Sequence, residues 1–137
     1  SKSDNEIRPA SSEQQLAMAR ELVAAGDKEF QTSNLVDAQI IYGKAIKTAW
    51  DYAPAYSALG NVYEQLKQYP KAIELYEQAL SVNPEDLETY KRMGCIYEKM
   101  EEYQNALEVY SKSLKKNSQQ PDIVESIKIL REKGRIK

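Results

Sequence analysis

The 137-residue chain has no histidine, and its single cysteine is Cys95. Without His and with one Cys, the usual zinc constellations and the Ser-His or Cys-His nucleophile pairs cannot be assembled from this chain. An internal disulfide is excluded as well, and a lone cysteine says little about redox compartment. Long apolar runs are also missing. No stretch approaches the roughly 18 apolar residues of a membrane-spanning helix, and the opening SKSDNEIRPASSEQQ lacks the apolar core of a signal peptide. No membrane insertion is expected, and the cytoplasm is the default compartment.

Strong charge is absent too. The formal net charge is −2 with a pI near 5.3, a balance that draws the chain toward no polyanion, so no nucleic-acid partner is implied. The distribution is uneven, because eight Lys/Arg against three Asp/Glu lie from Lys112 onward, on an otherwise acidic body. Those tail cations are interspersed with Asp122, Glu125 and Glu132, which reads as the solvated outer face of a helix. Hydrophobic residues at 42% and charged residues at 29% suit one soluble domain of this length.

What is present is periodic. Gly26, Gly60 and Gly94 stand 34 residues apart, and Ala38, Ala72, Ala106 and Tyr42, Tyr76, Tyr110 keep the same interval. Ala45 and Ala79 are followed in register by the similarly small Ser113. This is the period of a helix-turn-helix unit. In the middle unit, Tyr56, Leu59, Gly60 and Tyr63 fall on one helical face, and Ala72, Tyr76, Ala79 and Leu80 fall on one face of a second helix. Pro54 and Pro70 occupy first-turn positions where the missing N–H has no intrahelical partner, and Asn83-Pro84 stops the second helix.

Those residues, with Pro84, resemble the tetratricopeptide pattern of W-x2-L-G-x2-Y, A-x3-F, A and P, with tyrosine in the remaining aromatic slots. The third unit repeats it with Tyr90, Met93, Gly94, Tyr97, Ala106, Tyr110 and Ser113, departing at Ser118 where proline is expected. The first matches at Leu22, Ala25, Gly26, Ala38, Tyr42 and Ala45; Glu29 replaces an aromatic that Phe30 partly supplies, and Trp50 replaces the proline. The resemblance implies an all-α, right-handed superhelical stack of antiparallel helix pairs, with repeats at about 19–52, 53–86 and 87–120. Residues 1–11 read as a flexible leader before a domain spanning 12–137, and Ser12 with Gln15 reads as a capping box that starts the first helix near Glu13. Residues 121–134 read as a capping helix, its apolar face made of Ile123, Val124, Ile127 and Leu130 and its stop at Gly134.

Gly60 and Ala72 are small where the two helices should cross, with Tyr63 and Tyr76 filling the space beside them, and nine of the ten tyrosines occupy repeat positions. They therefore read as packing rather than as a platform for bases. Glu64 and Glu98 merely repeat the repeat, so no catalytic carboxylate pair, enzyme activity or cofactor is expected. Cys95 reads as a small residue in a surface groove, although Lys91 and Lys99 lie one turn to either side and would favour a thiolate.

The resemblance implies a binder of a peptide or helix from a partner protein, held in the concave face lined by the first helix of each pair. The expected contact residues are Arg20, Val23 and Asp27 in the first unit and Ser57, Asn61 and Glu64 in the second. Lys91, Arg92, Cys95 and Glu98 follow in the third. Asn61 is the best single candidate, because its amide offers both donor and acceptor to a partner's backbone. One family branch, the co-chaperones that bind acidic tails of heat-shock chaperones, uses a carboxylate clamp that falls by position on Val23, Asp27, Ala58, Glu88 and Arg92; only Arg92 matches. Asp27 and Glu88 would repel an acidic tail, which excludes that branch. The alternative reading is a self-associating scaffold, a homo-oligomer built through the groove or a terminal helix.

Overall fold

The computed structural model of the chain describes residues 8–136, and among these every regular element is an α-helix. In chain order they are α1 (Glu13–Gln31), α2 (Leu35–Thr48), α3 (Ala53–Gln65), α4 (Tyr69–Val82), α5 (Leu87–Lys99), α6 (Tyr103–Lys116) and α7 (Pro121–Ile136). The helices pack as the consecutive pairs α1–α2, α3–α4 and α5–α6, with α7 laid against α6.

The period of 34 sets the pair geometry through one contact. Each glycine of the first helix faces the ring of the tyrosine that follows it in the second: Gly26 meets Tyr42, Gly60 meets Tyr76 and Gly94 meets Tyr110. A Cβ on Gly60 would lie 2.6 Å from the Tyr76 ring, and one on Gly26 would lie 2.5 Å from Tyr42, so only hydrogen fits. Tyr42, Tyr76 and Tyr110 are among the largest fully buried side chains, closed in by Ala38, Ala72 and Ala106, all inaccessible to solvent.

The turns inside the pairs repeat as well. Ser33, Lys67 and Glu101 all have φ near +60°, a left-handed conformation that closes a tight turn after each first helix. In the middle turn, the backbone N–H of Gln68 donates to the carbonyl of Tyr63 at 2.9 Å. Between pairs, the Tyr56 hydroxyl donates to the Trp50 carbonyl (2.6 Å) and the Tyr90 hydroxyl to the Pro84 carbonyl (3.0 Å). The departure at Ser118 is compensated by Gln120, whose amide donates to the carbonyls of Ser113 and Asn117 at the end of α6. Pro121 then opens α7.

The first helix begins at Glu13 with the capping box of Ser12 and Gln15 formed in both directions. The stretch read as a leader falls mainly on residues 1–7, outside the described residues. Its described end is tied to the loop after α2. The Trp50 indole N–H donates to the Pro9 carbonyl (2.8 Å), the Arg8 guanidinium lies 5.2 Å from the indole ring centre, and the Ser11 N–H donates to Asp51 Oδ2 (3.0 Å). Trp50 thus fills the position that Pro84 holds in the middle unit with a residue that holds the incoming chain. One correction falls at the other end: α7 runs past Gly134 rather than stopping there, since the helix needs no left-handed residue at that point.

Candidate functional site

The face shared by α1, α3 and α5 carries a cleft of about 220 Å³ lined by Phe30, Asn61, Glu64, Gln65 and Arg92. All three helix pairs contribute to it, so residues far apart in sequence converge on one surface. Lys99 of α5 reaches Glu64 of α3 at 3.9 Å across the repeat boundary, and Arg92 pairs with Glu88 at 3.5 Å along its own helix.

The polar side chains of this face are held from below. Each buried tyrosine sends its hydroxyl through the helix pair to the residue just after the facing glycine, or to the residue one turn further on. The Tyr42 hydroxyl donates to Asp27 Oδ1 at 2.5 Å. The Tyr76 hydroxyl lies 2.5 Å from Asn61 Oδ1 and 2.9 Å from Glu64 Oε1. That of Tyr110 lies 2.5 Å from Glu98 Oε2 and 3.6 Å from Cys95 Sγ. Burial, and then the neighbouring acceptor, push all three phenols far above the ordinary tyrosine range, so they stay protonated donors throughout the physiological range. With its oxygen engaged by Tyr76, Asn61 has its amide N–H groups left for a partner's carbonyl.

Six of the expected contact residues form one set with these hydroxyls: Asp27, Asn61, Glu64, Arg92, Cys95 and Glu98 border the cleft or are tied to the tyrosines beneath it. Arg20 is exposed on α1, and the Ser57 hydroxyl turns back to the Pro54 carbonyl (3.2 Å). Lys91 bonds Asp122 of α7 at 2.7 Å, which fastens the last helix to α5. Val23 requires a correction. It is only 9% exposed and clusters with Ala55, Ala58 and Val62, because α1 packs directly on α3 at that level. The lysines flanking Cys95 point to other partners, Lys91 to Asp122 and Lys99 to Glu64, so neither is committed to the exposed thiol.

Two contributors were not expected from sequence. Phe30, read as filler for the first pair, both packs on that core and lines the cleft. The three tyrosine hydroxyls were read with their rings as packing. Their signal is the constant spacing of 15 between each tyrosine and the residue after the glycine.

The model of the tetratricopeptide repeat matches residues 53–86 and 87–120. The first helix pair repeats their glycine–tyrosine contact, and α7 closes the stack. The chain is a tetratricopeptide repeat protein. No curated protein sequence matches it significantly. Solved tetratricopeptide structures match the fold across most of the chain. The first such domain of Spaghetti (RPAP3), bound to the HSP90 peptide SRMEEVD, has a TM-score of 0.76 at 17% identity, covering 85% of this chain and 94% of that one. The Arabidopsis OM64 domain gives 0.76 at 19% identity, covering 86% and 98%. The Sgt2 domain from Aspergillus fumigatus gives 0.75 at 21%, covering 90% and 81%. Among the described residues no helix is long and apolar enough to cross a membrane, and no cluster of three or more His, Cys, Asp or Glu could hold a metal ion.

Proposed function

We propose that this tetratricopeptide repeat protein is an interaction module that holds a segment of a partner protein against the face of α1, α3 and α5. The observation that carries the reading is the buried tyrosine hydroxyl under each repeat, which fixes Asp27, Asn61, Glu64 and Glu98 before any partner arrives. Side chains already held lose less rotamer freedom on binding, at roughly 0.5–1.5 kcal/mol each. A peptide backbone crossing the cleft meets the Asn61 amide as donor and Arg92 beside it.

The RPAP3 neighbour binds a peptide ending in acids. This groove is suited to a different ligand. The clamp positions carry the buried apolar Val23 and Ala58 and the acidic Asp27 and Glu88, and Glu64 and Glu98 add further carboxylates. The favoured ligand has mixed charge, with a basic residue near Glu64 or Glu98 and a backbone or carboxylate group near Arg92. The test is a pull-down with wild type beside Asn61→Ala and Arg92→Ala, counting only partners lost in the variants while circular dichroism is unchanged. Direct titration with SRMEEVD should show no more binding than a neutral peptide of equal length. Strong, saturable binding of that peptide at Arg92 would overturn the charge argument.

A further inference from the structure

The last helix leaves a seat that the other first helices do not. A cleft of about 500 Å³ marks the junction of α4, α5 and α6, lined in part by Leu80, Ser81, Tyr90, Met93 and Tyr97, with α6 forming its third wall. Moving 34 residues along the chain gives a second cleft, of about 640 Å³, between α6 and α7. There Leu114, Val124 and Ile127 stand in the places of Leu80, Tyr90 and Met93, but among the described residues no helix forms the third wall. Val124 is 50% exposed as a result. By its place in the repeat α7 stands as a first helix, and among the described residues no second helix packs on it.

The chemistry of this seat differs from the interior one. Lys115, Lys128 and Arg131 occupy the places of Ser81, Gly94 and Tyr97, with Glu132 the one acid at the rim. None of the three cations forms an ion pair among the described residues, whereas Lys91, Lys99 and Lys116 are each paired with a carboxylate. Lys128 also closes the space that Gly94 leaves for Tyr110. A helix shaped like α2, α4 or α6, each with tyrosine at that point, therefore fits poorly, which argues against a second copy of this chain.

We propose that this seat takes a single amphipathic helix from a partner protein. Its ridge of Leu, Ile or Val would lie on Leu114, Val124 and Ile127, with Asp or Glu facing Lys115, Lys128 and Arg131. The incoming helix completes a fourth pair, with a carboxylate where the interior pairs use tyrosine. This site is separate from the groove of α1, α3 and α5, so the chain can hold two segments at once.

The experiment uses fluorescence anisotropy on the whole chain with two stapled helical peptides of the length of α6. Both carry the same leucine ridge, one with glutamates and the other with lysines on its flanks. The glutamate peptide should bind wild type at least tenfold more tightly than the lysine peptide, and more weakly as salt rises. In Lys128→Glu/Arg131→Glu, whose two sites are exposed, the preference should invert while circular dichroism stays unchanged. Val124→Asp should weaken the glutamate peptide at least fivefold, and Asn61→Ala/Arg92→Ala should leave it unaltered. Equal binding of the two peptides, no binding of either, or loss in the Asn61/Arg92 variant overturns the proposal. So does a sedimentation mass that rises with protein concentration in wild type and not in the charge-reversed variant, since the seat would then belong to a second copy.

Discussion

Two helical glycines in this chain should respond to the same substitution with opposite signs. Gly60 faces Tyr76, where a Cβ would lie 2.6 Å from Cε1, 2.9 Å from Cδ1 and 3.1 Å from Cζ. The ring cannot easily yield, because it is fully buried and its hydroxyl is held by Asn61 and Glu64. Gly→Ala in a helix interior gains about 1 kcal/mol of propensity, but forcing a methyl into a filled core costs about 1–3 kcal/mol. Displacing the ring also strains hydrogen bonds worth about 0.5–1.5 kcal/mol each. The expected result for Gly60→Ala is a net loss of ~1–3 kcal/mol. Gly43 lies in α2 with nothing within 4 Å of a Cβ, so Gly43→Ala should keep most of the propensity gain, about 0.5–1 kcal/mol. Urea unfolding followed by circular dichroism at 222 nm gives both midpoints. If Gly60→Ala is as stabilising as Gly43→Ala, the close approach of ring and glycine is not what sets the pair geometry.

Other outcomes follow from the same packing. Tyr76→Phe keeps the ring and removes the hydroxyl; it should cost about 0.5–1.5 kcal/mol and weaken any groove ligand that depends on Asn61, measured by unfolding and by titration of the captured partner. Glu101 has φ +60, so Glu101→Gly should relieve left-handed strain and raise stability by up to ~1 kcal/mol, whereas Glu101→Val should lower it. The phenols of Tyr42, Tyr76 and Tyr110 are held above the unfolded value of about 10. Their contribution is therefore complete below pH ~10 and lost above it, as the unfolded state releases protons first. Absorbance at 295 nm should show them ionising only as helicity falls; ten tyrosines titrating together near pH 10 in a folded chain would contradict this.

The fold was legible because each helix pair needs a small residue where it crosses and an aromatic to fill the space, and that demand recurs every 34 residues as Gly60 with Tyr76 and Gly94 with Tyr110. The groove was legible only in outline. Position in the repeat placed Asn61, Arg92 and Glu98 on the helices that carry the cleft or near its tyrosines, but Val23, in register with Ser57 and Lys91, is buried, since its exposure depends on how closely α1 lies on α3. Tyrosine in place of phenylalanine is a change of one oxygen, and hydrophobic patterning does not distinguish them; the destination of that oxygen is a fact of three dimensions. The end of α7 was misjudged for a related reason, because a glycine stops a helix only where the chain must turn.

The bond from each buried tyrosine to the surface has a consequence for anyone wishing to retarget this protein. Asp27, Asn61 and Cys95 each bond a buried tyrosine hydroxyl, so under the proposed function altering them would change specificity and stability together. Gln65 borders the same cleft, and Arg20 is exposed on α1; no tyrosine hydroxyl reaches either of them. A library confined to such sites can explore new partners on an unchanged scaffold. One that varies the residue after each glycine must vary Tyr42, Tyr76 and Tyr110 along with it.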